Sequence, residues 1–262
     1  MSDAVTPHPS RERRPLDDAR MPGWRLEFLA SAGSTNAVAA RRAEPGLVMV
    51  TDHQTAGRGR LDRGWETPAG LALTFSAVVD PGVPDARWPW LPLLAGLAVA
   101  DAVRRTTGVE ATLKWPNDVL VEDRKLAGIL VERVAPYGTP VAVIGIGLNV
   151  HQAELPVENA TSLALEGSPA DRADVLEAVL GRLAAELADW RAAGGDPVRL
   201  RAAYEGLCST IGRAVTVQLP GEQTVSGRAD TVDELGRLVV LDAEGERVPV
   251  GAGDVVHVRP AD

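Results

Sequence analysis

The chain has 262 residues, 45% of them hydrophobic, which is enough for one large domain or for a core domain with a small appendage. Its formal net charge of −9 argues against non-specific nucleic-acid binding, and no stretch approaches the ~20 uninterrupted apolar residues of a membrane span. The single cysteine, Cys208, excludes an internal disulfide, and the four histidines lack the spacing of a zinc site.

The N-terminal segment is polar, with prolines and charges of both signs, and it lacks the apolar run of a secretory signal. We therefore predict a disordered tail over residues 1–22. A lone cysteine and the lack of a targeting signal predict a cytoplasmic protein. Cys208 lies near the end of a predicted helix and is expected to be a small buried residue, not a nucleophile.

Hydrophobic periodicity then predicts alternating strands and helices over residues 23–208. Ser34 or Thr35 can cap the first helix, and Gly108 can end the long apolar one. Beyond Ile211, five short β-like runs separated by glycine-containing turns predict a small barrel or sandwich over 211–262. The predicted strands of the first region are 24–30, 47–54, 71–79, 111–116, 125–134 and 141–150, and the predicted helices are 34–43, 85–108, 171–194 and 196–207.

A loop rich in glycine and arginine, GRGRLDRGW, follows the second predicted strand. Its glycines allow close backbone approach to a ligand, and its three guanidiniums, those of Arg58, Arg60 and Arg63, repel one another unless an anion such as a carboxylate or phosphate is present. No GKS or GKT follows, so the loop is not a Walker P-loop, and it is not a dinucleotide fingerprint. A solvated basic turn is the alternative interpretation.

The only two lysines among 27 basic residues, Lys114 and Lys125, flank a turn that holds Asn117 and Asp118. Lys125 opens an apolar stretch, which predicts a packed stem and an ammonium group that faces a cleft. An ammonium in that position would neutralise charge on a reacting phosphate. A plain turn would explain Asn117 and Asp118 equally well, and a core position is favoured for Trp115.

Two further features have both a structural and a functional interpretation. Gly145 and Gly147 weaken a strand unless a group approaches closely, so a flat apolar ligand or a β-bulge would account for them. Ser34 and Thr35, followed by Asn36, stand at a predicted helix N-terminus, where capping alone explains them. The same terminus would also suit the polar head of a ligand.

Together these stretches resemble the biotin–protein ligase family. The matching pieces occur in order and cover most of residues 25–150: STN at 34–36, DHQTAGRGR at 52–60 with RGW at 63–65, KWPND at 114–118, KLAGIL at 125–130 and GIGLN at 145–149. The resemblance implies an α+β fold with a mixed β-sheet core flanked by helices, like the class II aminoacyl-tRNA synthetase catalytic domain, over residues 23–208. It also implies a small C-terminal SH3-like β-barrel over 211–262.

The resemblance further implies a ligase that activates biotin with ATP and Mg²⁺ as biotinyl-5′-AMP and transfers it to a lysine of a biotin carboxyl carrier protein. In this family pattern Lys125, Arg60 and Asp118 would be catalytic. The residues implied to bind biotin are Ser34, Thr35, Asn36, Gln54, Gly57, Arg58, Lys125, Gly128 and Gly147. Those implied to bind ATP or the adenylate are Arg60, Arg63, Trp65, Asn117 and Asn149, and no residue is predicted as a metal ligand.

The chain departs from the family pattern at Asp62, where glycine is common, so loop ordering or affinity is expected to differ. Only about twenty polar residues precede the first predicted strand, which does not favour the DNA-binding module of some family members. We expect no DNA or membrane partner, and a monomer or weak homodimer. A lipoate–protein ligase and a non-catalytic biotin-responsive binding module are the rival interpretations.

Overall fold

The computed structural model describes residues 14–60, 63–65, 68–168, 170–219, 223–251 and 253–257. The region up to residue 150 contains nine strands among these described residues. They are β1 (Arg25–Leu29), β2 (Leu47–Thr51), β3 (Gly57–Arg58), β4 (Gly64–Trp65), β5 (Ala72–Val79), β6 (Ala111–Lys114), β7 (Asp118–Val121), β8 (Arg124–Val134) and β9 (Val141–Asn149).

Seven of these strands form one mixed sheet in the order β1-β2-β5-β9-β8-β7-β6. Strands β1 and β2 are parallel, and every other neighbouring pair is antiparallel. The short strands β3 and β4 pair separately as an antiparallel hairpin. The helices are α1 (Thr35–Arg42), α2 (Leu91–Thr107), α3 (Arg172–Ala192) and α4 (Val198–Glu205), and a 3₁₀ helix, Asp85–Trp90, precedes α2.

The two faces of the sheet are covered differently, because successive side chains of a strand point to opposite faces. Leu73 and Phe75 of β5 face the main core, which contains the apolar sides of α2 and α3. Val78 of β5 and Val143 of β9 face the other way and pack in a smaller cluster beneath α1. Helix α1 is only eight residues long, so the rest of this second face is left for a cavity.

Helix boundaries follow the predicted capping signals. Ser34 is the N-cap of α1 and accepts a hydrogen bond from the Ala37 amide at 3.4 Å. Gly108 ends α2 in the left-handed conformation with φ 72°, which glycine adopts without the steric cost of a side chain. Cys208 is buried just beyond α4, and burial raises the pKa of its thiol, as expected for a packing residue.

The C-terminal unit is a five-stranded antiparallel sheet in the order β13-β12-β11-β10-β14. It docks on the N-terminal region through two buried indoles, since Trp90 Nε1 donates to the Glu234 carbonyl at 2.9 Å and Trp115 Nε1 to the Gly236 carbonyl at 3.0 Å. Its strands are β10 (Ala214–Gln218), β11 (Thr224–Val232), β12 (Leu238–Leu241), β13 (Arg247–Val250) and β14 (Asp254–His257).

Three details differ from the sequence prediction. The predicted tail over 1–22 is wrong for its last part, because Leu16 and Ala19 are buried and Arg14 forms ion pairs with Asp174 and Glu177 of α3. Residues 1–13 lie outside the described part of the chain. Strand β7 was missed because four residues directly after a proline-containing turn give too short a pattern. The β3–β4 hairpin was predicted as a loop, since two-residue strands carry no periodicity.

Candidate active site

A cavity of about 1190 Å³ lies on the sheet face that α1 leaves open. Its lining comes from the start of α1, the β3–β4 hairpin, the β6–β7 turn, strands β5, β8 and β9, the segment 155–160 and strand β14. Segments far apart in sequence therefore meet at one place. One end of the cavity is lined by hydroxyl and amide groups, the floor by glycine, and the opposite end by cations.

The uncharged polar end is built at the N-terminus of α1. Thr35 donates from its backbone amide to Gln54 Oε1 at 2.9 Å, and its hydroxyl lies 3.2 Å from the same oxygen. The Ser76 hydroxyl of β5 lies 2.7 Å from the Thr35 hydroxyl. All of these side chains and Ser34 are buried. The cluster presents hydroxyl and amide groups that suit the head of an uncharged ligand rich in hydrogen-bonding groups.

Asn36 makes its hydrogen bonds within the protein. Its Oδ1 lies 2.5 Å from Ser76 Oγ, and its Nδ2 donates to Glu132 Oε2 at 2.7 Å and to the Leu130 carbonyl at 3.3 Å. The side chain lies directly on Gly145, where an added Cβ would be 2.8 Å from Asn36 Cγ. Asn36 therefore links α1 to strand β8 across the sheet, and Gly145 is required for that contact.

Gly128 and Gly147 are paired across β8 and β9 and form the floor of the cavity. The Trp65 indole lies on this floor, because a Cβ at Gly147 would be only 2.6 Å from Trp65 Nε1, and a Cβ at Gly128 would be 3.5 Å from Trp65 Cζ3. The pairing of β9 with both neighbours is regular at Gly145 and Gly147. The β-bulge interpretation of these glycines is therefore wrong, and close approach of a flat group is the remaining explanation.

A bulge does occur in β8, and it directs Lys125 into the cavity. Leu120 pairs with Lys125 while Val119 pairs with Ala127, so Leu126 is the extra residue. Leu126 and Ala127 are both buried in the core, and alternation resumes with Lys125 on the cavity side. Lys125 Nζ lies 2.6 Å from Asp118 Oδ1 and 5.8 Å from the centroid of the Trp65 ring.

Two arginines of the glycine-rich loop are each paired with a separate carboxylate. Arg58 Nη2 lies 3.1 Å from Glu132 Oε1 on β8, and Arg63 forms an ion pair with Asp254 on β14. Both arginine side chains remain more than half exposed. The expected mutual repulsion is thus offset by protein carboxylates, so an external anion is not needed to neutralise these two guanidiniums.

The third loop arginine, Arg60, points inward. Its Nη1 donates to Asn117 Oδ1 at 3.2 Å and to the Gly253 carbonyl at 3.3 Å. Burial lowers the pKa of the Arg60 guanidinium, and the nearby Asp118 and Asp254 carboxylates oppose that shift. A guanidinium held by neutral acceptors in a partly desolvated site remains available for a strong interaction with a phosphate.

A second group of basic side chains lies where the C-terminal sheet meets the cavity. Lys114, Arg213 and His257 all line this region, and Arg213 Nη1 is 2.6 Å from Asp123 Oδ1. Burial, followed by the charges of Lys114 and Arg213, lowers the pKa of His257 to about 4. His257 is therefore neutral at pH 7, and its Nε2 lies 3.1 Å from the Thr210 hydroxyl.

Comparison with known proteins identifies the family. The sequence matches the biotin/lipoate A/B protein ligase family over residues 30–150 and the biotin protein ligase C-terminal domain over 210–258. A biotin–[acetyl-CoA-carboxylase] ligase of Mycobacterium tuberculosis is 44% identical, with 99% of this chain and 100% of the relative covered. The chain belongs to the biotin protein ligase family.

Other members of the family are similar to this chain in sequence and in structure. A biotin–[acetyl-CoA-carboxylase] ligase of Paracoccus denitrificans is 31% identical, over 84% of this chain and 96% of that protein. The structure of a biotin protein ligase of Aquifex aeolicus in complex with biotin and ATP superposes with a TM-score of 0.78 at 30% identity and covers 89% of this chain and 99% of that one. The predicted fold class, a mixed sheet flanked by helices with a β-rich C-terminal unit, is confirmed.

The cavity collects nearly all the residues that the family pattern implied. Gly57 is the exception: it pairs with Trp65 in the β3–β4 hairpin, and a Cβ there would be 3.1 Å from Gln54 Cδ, so its role is to allow the hairpin to approach Gln54. Asp62 lies outside the described residues. The predicted residues that line the cavity are Ser34, Thr35, Asn36, Gln54, Arg58, Arg60, Arg63, Trp65, Asn117, Asp118, Lys125, Gly128, Gly147 and Asn149.

Two of the residues predicted to contact adenylate also stabilise the walls of the cavity. Asn149 is buried, donates to the Thr161 carbonyl at 2.9 Å and accepts from Gln152 Nε2 at 2.9 Å. Asn117 donates to the Ile129 carbonyl at 2.8 Å, which ties the β6–β7 turn to β8. Each amide therefore orders a segment of the cavity wall as well as lining it.

Sequence reasoning missed the residues contributed by the C-terminal unit, namely Arg213, Asp254 and His257. The sequence predicts that unit as a separate appendage. Its position over the cavity depends on the two docked indoles, which no local pattern indicates. Glu132 was also missed. It follows Gly128 and Leu130 at every second position of an apolar strand, and this alternation would have placed its charge on the same face as Gly128. Among the described residues, no cluster of three or more potential metal ligands occurs, and no helix is long and apolar enough to cross a membrane.

Proposed function

We propose that this protein activates biotin with ATP as biotinyl-5′-adenylate and transfers the biotinyl group to one lysine of a biotin carboxyl carrier protein. The observation that carries the proposal is the convergence of three different surfaces in one cavity: the uncharged polar end at Thr35 and Gln54, the glycine floor, and the cationic end at Lys125 and Arg60. These surfaces match, in order, a ureido head, a flat apolar bicycle and a carboxylate next to phosphate.

In the first step the biotin carboxylate oxygen attacks the α-phosphorus of ATP, and the bond to the β-phosphate oxygen breaks to release pyrophosphate. Negative charge increases on the α-phosphate oxygens during the attack. Lys125 would hold the carboxylate and this phosphate together, and Arg60 would stabilise the same charge from the other side. Asp118 would orient Lys125, a role supported by their 2.6 Å contact.

In the second step the amine of the acceptor lysine attacks the acyl carbon of the adenylate, and AMP leaves. The attacking amine loses one proton as the amide forms. The half-exposed arginines of the loop cover the cavity on the side of the adenylate, and Arg58 would keep the intermediate bound until an acceptor arrives. Trp65, Arg63, Asn117 and Asn149 are proposed as adenylate contacts, and Ser34, Thr35, Asn36, Gln54, Arg58, Gly128 and Gly147 as biotin contacts. Gly57 would act indirectly, by allowing the hairpin to approach Gln54.

Magnesium would arrive with ATP as part of the substrate, because Mg²⁺ is usually held by phosphates with one or two carboxylates. Asp118 lines the cavity beside Lys125, but it is paired with that lysine at 2.6 Å. We therefore assign the principal Mg²⁺ ligands to the ATP phosphates. The names of two relatives support a carrier domain of acetyl-CoA carboxylase as the acceptor. A cytoplasmic location and a monomeric or weakly dimeric state remain predictions.

The decisive experiment incubates the purified full chain with Mg-ATP, a biotin carboxyl carrier domain and either biotin or lipoate, and measures the acceptor mass. One biotinyl group per acceptor, lost when the acceptor lysine is replaced by arginine, is the expected result. Labelling by lipoate but not biotin would identify a lipoate–protein ligase. Tight biotin binding with no labelling, together with no pyrophosphate release, would identify a non-catalytic binding module.

A further inference from the structure

The carboxylate of Glu132 connects the two ends of the biotin site. Its Oε2 accepts from Asn36 Nδ2 at 2.7 Å, and its two oxygens lie 3.1 and 3.4 Å from Arg58 Nη2. Asn36 Oδ1 accepts from the Ser76 hydroxyl, and Ser76 Oγ in turn lies 2.7 Å from the Thr35 hydroxyl at the polar end. A continuous hydrogen-bonded chain therefore runs from the polar end of the cavity to the arginine of the covering loop.

We propose that Glu132 is a positioning residue that holds Arg58 over the bound adenylate and couples that position to the polar end of the cavity. The inference rests on the biotin ligase function proposed above. Glu132 does not line the cavity, so it would act through Arg58 and Asn36 and not by touching the substrate.

The local geometry explains why Arg58 needs such a partner. Strand β3 is only two residues long, and its single hairpin partner β4 is equally short, so the backbone alone restrains the loop weakly. The Arg58 side chain is 51% exposed and would otherwise sample many rotamers. Glu132 belongs to β8, an eleven-residue strand that pairs with β9 over residues 127–134, and is 29% exposed. Strand β8 thus fixes the carboxylate that pairs with the Arg58 guanidinium.

Glu132 is also fixed from its other side, which makes it a better anchor than a free surface carboxylate. The bond from Asn36 occupies Oε2 and fixes the side-chain rotamer before Arg58 engages. Asn36 is itself 4% exposed and is held on Gly145 and by Ser76. Gly145, Ser76 and the Leu130 carbonyl fix Asn36, and Asn36 fixes Glu132, so a change at the polar end would shift the Arg58 guanidinium.

The test compares wild type with Glu132→Gln, which removes the charge but keeps the shape. Each enzyme is loaded with labelled biotin and Mg-ATP without acceptor, and release of the labelled adenylate is followed together with biotinylation of bystander lysines on serum albumin. An exposed ion pair is worth about 0.2–1 kcal/mol, so adenylate release should rise about 1.4- to fivefold in the variant. Glu132→Asp keeps the charge at a shorter reach and should fall between the two.

Two comparisons separate a positioning role from a general effect on strand stability. Arg133 follows Glu132 in β8 and forms an ion pair with Asp85 of the 3₁₀ helix. Arg133→Gln breaks that pair and should leave adenylate release unchanged. Glu132→Gln in an Arg58→Gln background should add nothing to release, because both changes remove the same contact. A merely structural role for Glu132 would instead give additive effects and a lowered thermal midpoint.

The outcomes are distinct. Wild-type enzyme that forms no adenylate would overturn both the ligase function and the role of Glu132. Wild-type enzyme that forms and retains adenylate, with equal retention by Glu132→Gln, would overturn the role of Glu132 alone. Release that rises as much in Glu132→Asp as in Glu132→Gln would show that charge on residue 132 is not what holds Arg58, which also contradicts the proposal.

Discussion

Adding one methyl group to the cavity floor tests whether the glycines exist for a flat ligand. In Gly147→Ala the new Cβ would lie 2.6 Å from Trp65 Nε1, whereas ordinary contacts fall at 3.4–4 Å. The Trp65 indole must therefore retreat by about 1 Å, and so must a ligand that packs against this floor and the indole. A displacement of that size between reacting groups lowers rates by about 10²-fold, so kcat/KM for biotin should fall by roughly this factor.

The fold should survive the same change, because alanine is at least as favourable as glycine in a regular strand. Carrier-domain labelling at varied biotin concentrations gives kcat/KM, and thermal unfolding checks stability. Gly96→Ala in α2 is the matched control, since its Cβ would make ordinary contacts of 3.4 and 3.5 Å on the opposite side of the sheet. A Gly147→Ala enzyme with wild-type kcat/KM for biotin would refute the floor assignment.

Three further predictions concern charged groups. Lys125→Ala should slow pyrophosphate release about 10²- to 10³-fold while the fold is retained, because the α-phosphate loses its ammonium partner; wild-type release would contradict this role. Arg58→Gly should cause promiscuous labelling of bystander lysines, whereas strictly specific labelling would count against a covering role. The pKa of His257 is lowered from 6.5 to about 4 in the folded protein. As pH falls from about 6.5 to 4, the unfolded chain takes up a proton at this residue before the folded protein does, so the free energy of unfolding should fall over this window. The shift sets a limit of about 3 kcal/mol, which solvent screening reduces to about 1–2 kcal/mol. Denaturant titrations of wild type and His257→Gln should differ in slope over this window, and identical pH profiles would contradict the assignment.

Much of the fold could be predicted because its signals are local. Ser34 and Gly108 mark helix ends by their own conformational chemistry, and the apolar runs of β2, β5 and β9 are long enough to show strand periodicity. The glycines of β9 also indicated close approach of a ligand, although the sequence left a bulge equally open. The regular register of β9 excludes that alternative.

Other features depend on tertiary contacts that no local pattern carries. Simple alternation from Gly128 would direct Leu126 to the cavity and Lys125 to the core; only the register shift between β7 and β8 reverses this. Similarly, one of the two acceptors that hold Arg60 is the Gly253 backbone carbonyl, which has no side-chain signature. The paired carboxylates of Glu132 and Asp254 explain how the basic loop is held, and they come from two different sheets.

Biotin-dependent exchange of labelled pyrophosphate into ATP is the most direct assay of whether this cavity activates biotin, because it reports the reversible formation of an acyl-adenylate without any acceptor protein. We expect exchange that requires biotin and Mg²⁺, that falls about 10²- to 10³-fold in Lys125→Ala and that persists in Gly96→Ala. Exchange that is absent with biotin, or that proceeds equally well without it, would contradict the proposal that this cavity activates biotin.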